Sequence, residues 1–549
     1  MPDPANDLAA LDIENVLNLI ARTNELLVDA HYNVLLFGTP MDVDRALNKM
    51  EGQLFNFHLV PSNNCYNQLE LYIGSFPGHS YDIQPYDRFF TTSDPAVSLF
   101  YKERSAYSED SDFKIYFTDR EGNPVSIDTS DLPMQTGRIN NRNKFVLGPS
   151  GSGKSFFMNS IAKQYFTQDT EIVIIDTGHS YSGLCQYVGG KYITYEEDKP
   201  ITMNPFLVTE SEFNEEKRDF LKSLIALLWK GNNGTITQLE DSLLINLVSS
   251  YYANYFSKGS VKELSFNTFY EYSLEQIKVI QKEEDIIIDI QSYAFVLKKF
   301  YKGGEYDLIL NSDVDKSLFD EPFIVFEIDN IKDNKTLFPI TTLIIMDVFL
   351  QKMRHKKKRK KLIIEEAWKA IASPMMASYI LYVYKTVRKF WGEAIVVTQE
   401  LDDIIGNEIV KNSIINNSDT IILLDQAKFK DSYEEVASLL SLSEIERKKI
   451  FTINKLDNKE GRNKFKEVYI RRGSVGEVYG VEVSLEEYLT YTTEKLEKEA
   501  ISVYLKKYEQ YDDAIDNFVM DFKESNLNMT NFCKSVINKK QPVLIKQTA

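Results

Sequence analysis

The strongest chemical signal in this chain is a short segment that matches the pattern GxxxxGK[ST] in full. Its members are Gly148, Pro149, Ser150, Gly151, Ser152, Gly153, Lys154 and Ser155. In this pattern the glycines let backbone N–H groups surround a β-phosphate, the lysine carries positive charge to the β- and γ-phosphates, and the hydroxyl coordinates Mg²⁺. We therefore predict that all eight residues bind ATP and that Ser155 is also a metal ligand.

Hydrolysis of ATP would also need a carboxylate that orients the metal and a group that positions water. The segment Lys361–Ile364 is mostly apolar and is followed by Glu365 and Glu366. We expect Glu365 to hold the Mg²⁺ ion and Glu366 to activate the attacking water. A solvated strand end would show the same pattern, so this alternative stays open.

Three other polar residues follow or interrupt apolar segments. Asp176 directly follows such a segment and is a lower-ranked candidate that could contact the site or pair with Lys154. Glu327 is flanked by apolar residues, which predicts that it points to the other face of its strand. Gln399 lies just beyond an apolar segment and is a candidate γ-phosphate sensor, although a polar residue that caps a strand would look the same.

These residues need a parallel sheet that brings several strand ends to one edge. From Lys144 onward, short apolar runs alternate with helical segments, which is typical of a parallel α/β sheet buried on both faces. The predicted strands are Lys144–Leu147, Glu171–Ile175, Phe323–Ile328, Lys361–Ile364, Ala394–Val397 and Thr420–Leu424. Two later runs, Glu467–Ile470 and Glu477–Val483, predict a β-hairpin.

The pattern changes along the chain and predicts five parts. They are an N-terminal α+β domain (1–140) that starts with a helix over Asp12–Leu35, the first part of a core with the P-loop (141–205), an all-helical insertion (206–318), the second part of the core (319–495) and a C-terminal helical tail (496–549). The predicted fold class is therefore α/β, with a P-loop core interrupted by helices.

The composition excludes several classes of protein. Of the 549 residues, 43% are hydrophobic, which is too many for a disordered chain. The chain has 63 basic and 81 acidic residues and a net charge of −18, which disfavours general binding to nucleic acid or anionic membrane. Three distant cysteines and five scattered histidines indicate neither a disulfide scaffold nor a zinc site. No stretch of about 20 apolar residues predicts a membrane-spanning helix.

Several further sequence motifs follow the P-loop along the chain. Besides Asn141–Ser155, they are Ile175–Tyr181 (IDTGHSY), Met203–Phe206 (MNPF), Phe326–Asp329 (FEID), Ile364–Trp368 (IEEAW), Val387–Lys389 (VRK) and Val397–Gln399 (VTQ). With them, residues 32–499 resemble the conjugation and type IV secretion ATPases of the TraC/TrbE/CagE group, and most of all the TraG-type proteins of Bacteroides-type conjugative transposons. The sequence departs from that group at Glu365, where aspartate is common.

The resemblance implies a RecA-like motor that hydrolyses ATP with Mg²⁺ to energise assembly or substrate transfer of a conjugative type IV secretion system. It also implies a cytoplasmic homo-oligomer, expected to be a hexamer, that lies peripherally at the inner membrane through partner proteins of the apparatus. By the same resemblance, Arg388 would be an arginine finger that reaches the γ-phosphate of a neighbouring subunit. Two alternatives stay open: a DNA-translocating ATPase of the coupling type, and a nucleotide-gated scaffold with little turnover.

A run of cations precedes the strand that ends at Glu365. The segment His355–Lys361 contains six lysine or arginine side chains in seven residues. Such a run could contact DNA or anionic lipid. In the competing interpretation it is a solvated loop whose positive charges stabilise the C-terminus of the preceding helix. Because no aromatic residue is interleaved for base stacking, a DNA contact is left open but is not predicted.

Overall fold

The computed structural model describes residues 4–23, 25–56, 59–62, 66–98, 108–196, 204–232, 234–312, 317–355, 358–366, 374–399, 414–456 and 462–539. Tertiary contacts divide the chain into two units, Met1–Ser105 and Ala106–Ala549. Among the described residues, no helix is long and apolar enough to cross a lipid bilayer.

Within its described residues, the first unit contains four helices and a two-stranded antiparallel sheet. Its elements are α1 (Pro4–Thr23), β1 (Leu27–Ala30), α2 (Pro40–Asn56), α3 (Gln68–Gly74), β2 (Phe89–Thr92) and α4 (Ser93–Ser98). The helix predicted over Asp12–Leu35 is wrong in its bounds, because α1 begins earlier and ends at Thr23. The apolar residues Leu27 and Val28 pair with β2 instead of continuing the helix.

The second unit is built on an 11-stranded mixed sheet. Its strands are β3 (Ile115–Thr118), β4 (Pro124–Ile127), β5 (Lys144–Leu147), β6 (Glu171–Asp176), β7 (Lys191–Thr194), β8 (Phe323–Glu327), β9 (Lys360–Glu365), β10 (Gly392–Thr398), β11 (Thr420–Leu423), β12 (Lys464–Arg472) and β13 (Val475–Val483). Their order is β4-β3-β13-β12-β11-β5-β10-β9-β6-β8-β7. The strands from β11 to β7 in that order are parallel, whereas β12, β13, β3 and β4 pair antiparallel. The predicted parallel strands and the predicted hairpin are confirmed.

Helices cover both faces of this sheet. They are α5 (Asp131–Gln135), α6 (Lys154–Thr167), α7 (Ser182–Tyr187), α8 (Glu215–Lys230), α9 (Gln238–Phe256), α10 (Phe266–Glu283), α11 (Ile290–Leu297), α12 (Asp307–Asn311), α13 (Ser317–Asp320), α14 (Leu337–His355), α15 (Pro374–Val387), α16 (Tyr433–Leu439), α17 (Glu444–Phe451), α18 (Leu485–Tyr491), α19 (Lys495–Leu505), α20 (Tyr511–Ser525) and α21 (Met529–Lys539). Helices α8 to α13 all lie between β7 and β8 in the chain.

The central strands contribute side chains to two hydrophobic clusters, one on each face of the sheet. In β5, Phe145 and Leu147 belong to the cluster that contains residues of α8 to α14, whereas Val146 belongs to the cluster that contains residues of α6. Burial on both faces explains why these strands consist almost entirely of apolar residues. A third cluster, around Tyr504 and Phe518, joins the C-terminal helices.

Three charged side chains are buried together where β5, β9 and β10 begin. Glu393 accepts hydrogen bonds from Nζ of Lys144 at 2.5 Å and from Nζ of Lys361. Burial opposes ionisation of Glu393, but the two ammonium groups outweigh it and lower its pKa to about 2. Burial and the positive charge of Lys144 both disfavour the charged form of Lys361. Together they outweigh the attraction of Glu393 and lower the pKa of Lys361 to about 7.

Below about pH 7, where Lys361 is charged, replacing Glu393 by Gln should lower the free energy of unfolding by about 3–5 kcal/mol, because two buried ammonium groups would lose the carboxylate that they share. The matched variant Lys361→Met keeps the pair of Glu393 with Lys144 and should remain close to wild type. Urea unfolding followed by circular dichroism measures both. Equal urea midpoints for Glu393→Gln and wild type would contradict this account of the cluster.

The same cluster predicts a pH dependence of stability. The pKa of Lys361 is lower in the folded chain than in the unfolded chain, so the unfolded state binds more protons between about pH 7 and about pH 10. The wild type should therefore gain stability as the pH rises through this window, and Lys361→Met should remove that gain.

Candidate functional site

The P-loop connects β5 to α6 at the edge where the parallel strands end. β5 ends directly before the loop, and α6 begins at Lys154. Gly151 and Gly153 have φ angles of 83° and 93°, in the left-handed region that favours glycine. A Cβ atom on Gly148 would lie 2.8 Å from Oγ of Ser152 and 3.0 Å from Cδ1 of Leu424, so a larger residue here would have to displace these side chains. A glycine-rich loop followed by a helix N-terminus is the arrangement that proteins commonly use to bind an anion.

Lys154 is buried at this edge next to two carboxylates. Its Nζ atom forms ion pairs with Glu365 and, at 3.5 Å, with Oε1 of Glu366. Burial disfavours the charged amine, but the charges of Glu365 and Glu366 outweigh burial and raise the pKa of Lys154. The ammonium group therefore stays charged beside the P-loop.

The two glutamates are positioned by the end of β9 and by a sharp backbone turn. Glu365 is the last residue of β9, which lies between β10 and β6. Glu366 has a φ angle of 53°, in the left-handed region, which costs a non-glycine residue about 1–2 kcal/mol. Its N–H group donates to the carbonyl oxygen of Val397 at 2.9 Å. An extended strand would direct consecutive side chains to opposite faces, whereas this turn brings both carboxylates to Lys154.

A turn after β6 holds Glu365 in place. The hydroxyl group of Tyr181, which is fully buried, donates to Oε1 of Glu365 at 2.6 Å. Oδ2 of Asp176 accepts hydrogen bonds from the N–H groups of Ser180 at 2.6 Å and Tyr181 at 3.3 Å, which fixes the turn. Oγ of Ser180 lies 3.5 Å from Oγ of Ser155. The turn therefore connects the predicted metal ligands Ser155 and Glu365.

Asp176 and Glu327 lie side by side at the ends of neighbouring parallel strands. Burial, followed by the negative charges of Glu327 and Glu365, raises the pKa of Asp176 well above its usual range, and the two carboxyl groups share a hydrogen bond. Oε2 of Glu327 accepts the N–H group of His179 at 2.8 Å. The prediction that Glu327 points to the other face is therefore wrong, because its register with Asp176 puts both side chains against the same turn.

The structure brings Gln399 to the P-loop edge but leaves Arg388 at the opposite edge. Gln399 is half-buried and directly follows Thr398, whose carbonyl oxygen accepts the N–H group of Gly148 at 3.0 Å. Arg388 is exposed in the 3-10 turn Arg388–Phe390, just before β10 begins. β10 is parallel to β5 and has seven residues, a length of about 23 Å. Arg388 therefore lies out of reach of the P-loop in its own chain.

The described part of the basic run consists of paired cations. Lys356 and Lys357 lie outside the described residues, as does the side chain of His355. The ion pairs of the other four are Lys358 with Asp169, Arg359 with Asp131, Lys360 with Glu171 and Lys361 with Glu393. Lys360 and Lys361 are 1% exposed. The interpretation of the run as a solvated loop is wrong for these two residues, because they are the first residues of the buried strand β9.

Sequence patterns did not identify Tyr181 as a functional residue. It lies inside a motif that supports the family resemblance, yet its contact with Glu365 joins residues that are 184 positions apart. Nothing in local spacing indicates that contact, because it depends on the pairing of β6 with β9.

The sequence of this chain is similar to those of known families and proteins. Residues 114–522 match the family model described as the TraG P-loop domain. The type IV secretion system protein virB4 of Bartonella quintana (strain Toulouse) is 24% identical over 295 residues, which cover 53% of this chain and 35% of that protein. Protein TraC of Escherichia coli (strain K12) is 22% identical over 306 residues, which cover 54% of this chain and 34% of that protein. The chain thus spans about a third of the length of these curated relatives.

A solved structure has the same fold. The structure of VirB4 of Thermoanaerobacter pseudethanolicus is 20% identical in sequence and superimposes with a TM-score of 0.53. The match covers 70% of this chain and 100% of that chain. It confirms the predicted α/β class with a RecA-like P-loop core.

Proposed function

The chain belongs to the TraG P-loop domain family, and on that premise we propose that it is an ATPase that energises assembly or substrate transfer of a conjugative type IV secretion system. The observation that carries this proposal is the cluster at one edge of the sheet, where Lys154 of the P-loop contacts the consecutive carboxylates of Glu365 and Glu366. The residues 148–155 would bind the phosphates of ATP through the loop N–H groups and Lys154.

The proposed reaction uses the two glutamates differently. Lys154 would leave the carboxylates and bind the β- and γ-phosphates. Glu365 would keep its orientation because Tyr181 still donates to it. Glu366 would then accept a proton from the attacking water as a general base. Gln399 would contact the γ-phosphate and report its loss to the helices between β7 and β8.

The residues present fit Mg²⁺. Ser155 offers a hydroxyl oxygen and Glu365 a carboxylate oxygen, which are the hard ligands that Mg²⁺ prefers. Among the described residues, no cluster of three metal-ligating side chains occurs, so substrate phosphates and water would have to supply the other ligands. When bound, Mg²⁺ would neutralise charge on the phosphates. Glutamate at position 365 is one CH₂ longer than the aspartate common in the group, which favours contact through water.

We also propose that the protein works as a cytoplasmic homo-oligomer, expected to be a hexamer, held at the inner membrane by other proteins of the apparatus. The position of Arg388 supports this arrangement. It is exposed and lies at the edge opposite its own P-loop, so it could serve an ATP site in a head-to-tail ring, where unlike edges of neighbouring subunits meet.

If Arg388 acts in a neighbouring subunit, Arg388→Ala should reduce ATP turnover about 10²-fold. A 1:1 mixture of Arg388→Ala with Lys154→Ala should recover about a quarter of wild-type turnover, because a quarter of randomly formed head-to-tail contacts would join an intact P-loop to an intact arginine. The measurement is phosphate release after the two variants are mixed and reassembled.

The matched control is a mixture of Lys154→Ala with Glu366→Gln. Each substitution inactivates the ATP site of the chain that carries it. Every site in that mixture is therefore defective, and turnover should stay low. An inactive mixture of Arg388→Ala with Lys154→Ala would contradict a role for Arg388 in a neighbouring subunit, as would wild-type turnover by Arg388→Ala.

The alternative of a DNA-translocating ATPase receives little support from the basic run. Each of its four described cations already pairs with a carboxylate of the same chain, and the net charge of −18 opposes DNA binding. Strong stimulation of ATP turnover by DNA would favour this alternative over the main proposal.

The alternative of a nucleotide-gated scaffold rests on Glu365. The longer side chain could hold the metal in a geometry that binds ATP without turning it over. Mass measurement with and without ATP, combined with phosphate release with and without DNA, tests the three candidates together. The main proposal predicts a larger assembly with ATP and Mg²⁺-dependent phosphate release that DNA does not raise.

A further inference from the structure

The hairpin strand β12 extends over the P-loop. Leu423, the last residue of β11, pairs with Tyr469 of β12 and also lies opposite Leu147 of β5. β12 is antiparallel to β11 and begins at Lys464, so its residues 464–468 continue past the end of β11. The P-loop follows Leu147 at this same edge. The register of the sheet therefore places the start of β12 beside the P-loop.

Lys466, in this overhanging part of β12, packs against the P-loop. A Cβ atom on Gly153 would lie 3.0 Å from Cγ of Lys466, 3.5 Å from Cδ and 3.6 Å from Cε. The ammonium nitrogen lies about 1.5 Å beyond Cε. Lys466 is exposed, and among the residues that the structure describes no carboxylate forms an ion pair with it. The packing of its aliphatic side-chain carbons thus holds the ammonium group of Lys466 near the P-loop.

The strand order shows which end of a nucleotide Lys466 would meet. Glu365 and Glu366 follow β9, which lies two strands from β5, whereas β12 lies two strands from β5 on the other side. Hydrolysis takes place at the γ-phosphate, which must lie on the side of the two glutamates. In a nucleotide bound this way, the α-phosphate and the nucleoside would extend away from that side, and therefore towards Lys466.

Two buried polar atoms on this side also lack a hydrogen-bonding partner in the described part of the chain. They are Oγ of Ser152 in the P-loop and Oε1 of Gln426, which follows β11. Nε2 of Gln426 donates to the carbonyl oxygen of Leu147 at 3.2 Å, which places this side chain next to the loop. Buried polar atoms are usually paired, so both atoms remain able to bond a ligand beside the loop, with Oγ of Ser152 as a donor to a phosphate and Oε1 of Gln426 as an acceptor.

From this geometry we infer that Lys466 binds the α-phosphate of the nucleotide, the part that ATP and ADP share. The inference rests on the proposed function, since it assigns a residue to the same nucleotide site. A contact to a part common to substrate and product strengthens binding of both equally and leaves the chemical step unchanged. Lys466 would therefore set nucleotide affinity, whereas Lys154 and Glu366 would set the rate of hydrolysis.

The test compares Lys466→Ala with Lys464→Ala. Lys464 is also exposed and lies two residues away on the same strand, but its Nζ atom lies 4.8 Å from the ring centroid of Tyr488. The measurements are the Kd of a fluorescent ADP analogue and the kcat and KM for ATP. Lys466→Ala should raise the Kd for ADP and the KM for ATP together by about tenfold, with kcat within about twofold of wild type. Lys464→Ala should match wild type, and Lys466→Arg should retain most of the affinity.

Two results would overturn the inference. One is an unchanged ADP affinity in Lys466→Ala together with unchanged kcat and KM for ATP, which would show that Lys466 does not contact the nucleotide. The other is a fall in kcat with unchanged ADP affinity, which would place Lys466 at the γ-phosphate. The proposed function fails separately: a wild type that binds ADP but does not hydrolyse ATP refutes the ATPase, while the Kd for ADP of Lys466→Ala still decides the role of Lys466.

Discussion

Replacing Glu366 by Gln should slow ATP hydrolysis about 10³-fold while ATP still binds. The amide has almost the shape of the carboxylate but cannot accept a proton from water. The P-loop and Lys154 remain intact in this variant, and Lys154 keeps its ion pair with Glu365. The measurements are phosphate release under saturating ATP and the affinity for a fluorescent ATP analogue.

Glu365→Gln is the matched comparison, because it makes the same chemical change in the neighbouring residue. If Glu365 binds the metal, this variant should raise the Mg²⁺ concentration needed for half-maximal turnover, whereas Glu366→Gln should leave that concentration unchanged. Wild-type turnover by Glu366→Gln would show that the assignment of the general base is wrong.

The second large effect is expected from Lys154→Ala, which should reduce turnover about 10³-fold or more and weaken ATP binding. Lys154 is a buried cation next to the P-loop, and its loss removes the charge that would stabilise the β- and γ-phosphates. The substitution also removes the cation that pairs with Glu365 and Glu366, so the midpoint of urea unfolding should fall as well. Binding and turnover are therefore compared under conditions in which circular dichroism shows a folded variant.

Lys163→Ala is the control for Lys154→Ala. Lys163 lies on the same helix, and its Nζ atom pairs with Oε1 of Glu487 at 2.9 Å, away from the P-loop. This variant should lose an ion pair but retain wild-type turnover. A folded Lys154→Ala variant with wild-type turnover would refute the proposed nucleotide site.

The parts of the fold that the sequence predicted are those that local pattern determines. The P-loop and the strand before it follow from eight consecutive residues, and the buried strands follow from apolar runs that are typical of a sheet covered on both faces. The family resemblance, which rested on several motifs in order, is confirmed by the match to the TraG P-loop domain over residues 114–522.

The features that the sequence did not predict depend on contacts between distant segments. Tyr181 reaches Glu365 because β6 pairs with β9, and Lys466 reaches Gly153 because β12 runs past the end of β11. The bounds of α1 were misjudged for a related reason, since the pairing of Leu27 with Thr92 ends the helical pattern. Apolar spacing at Leu27 and Val28 fits a helix and a strand equally, and the partner strand decides between them.

The central claim is that the P-loop edge of this sheet hydrolyses ATP. Phosphate release by the purified wild-type chain, measured with ATP in the presence and absence of Mg²⁺ and compared with Glu366→Gln, tests it most directly. We expect phosphate release that requires Mg²⁺ and that Glu366→Gln slows about 10³-fold. A wild type that retains ATP tightly and releases no phosphate would refute the proposed ATPase and favour the nucleotide-gated scaffold.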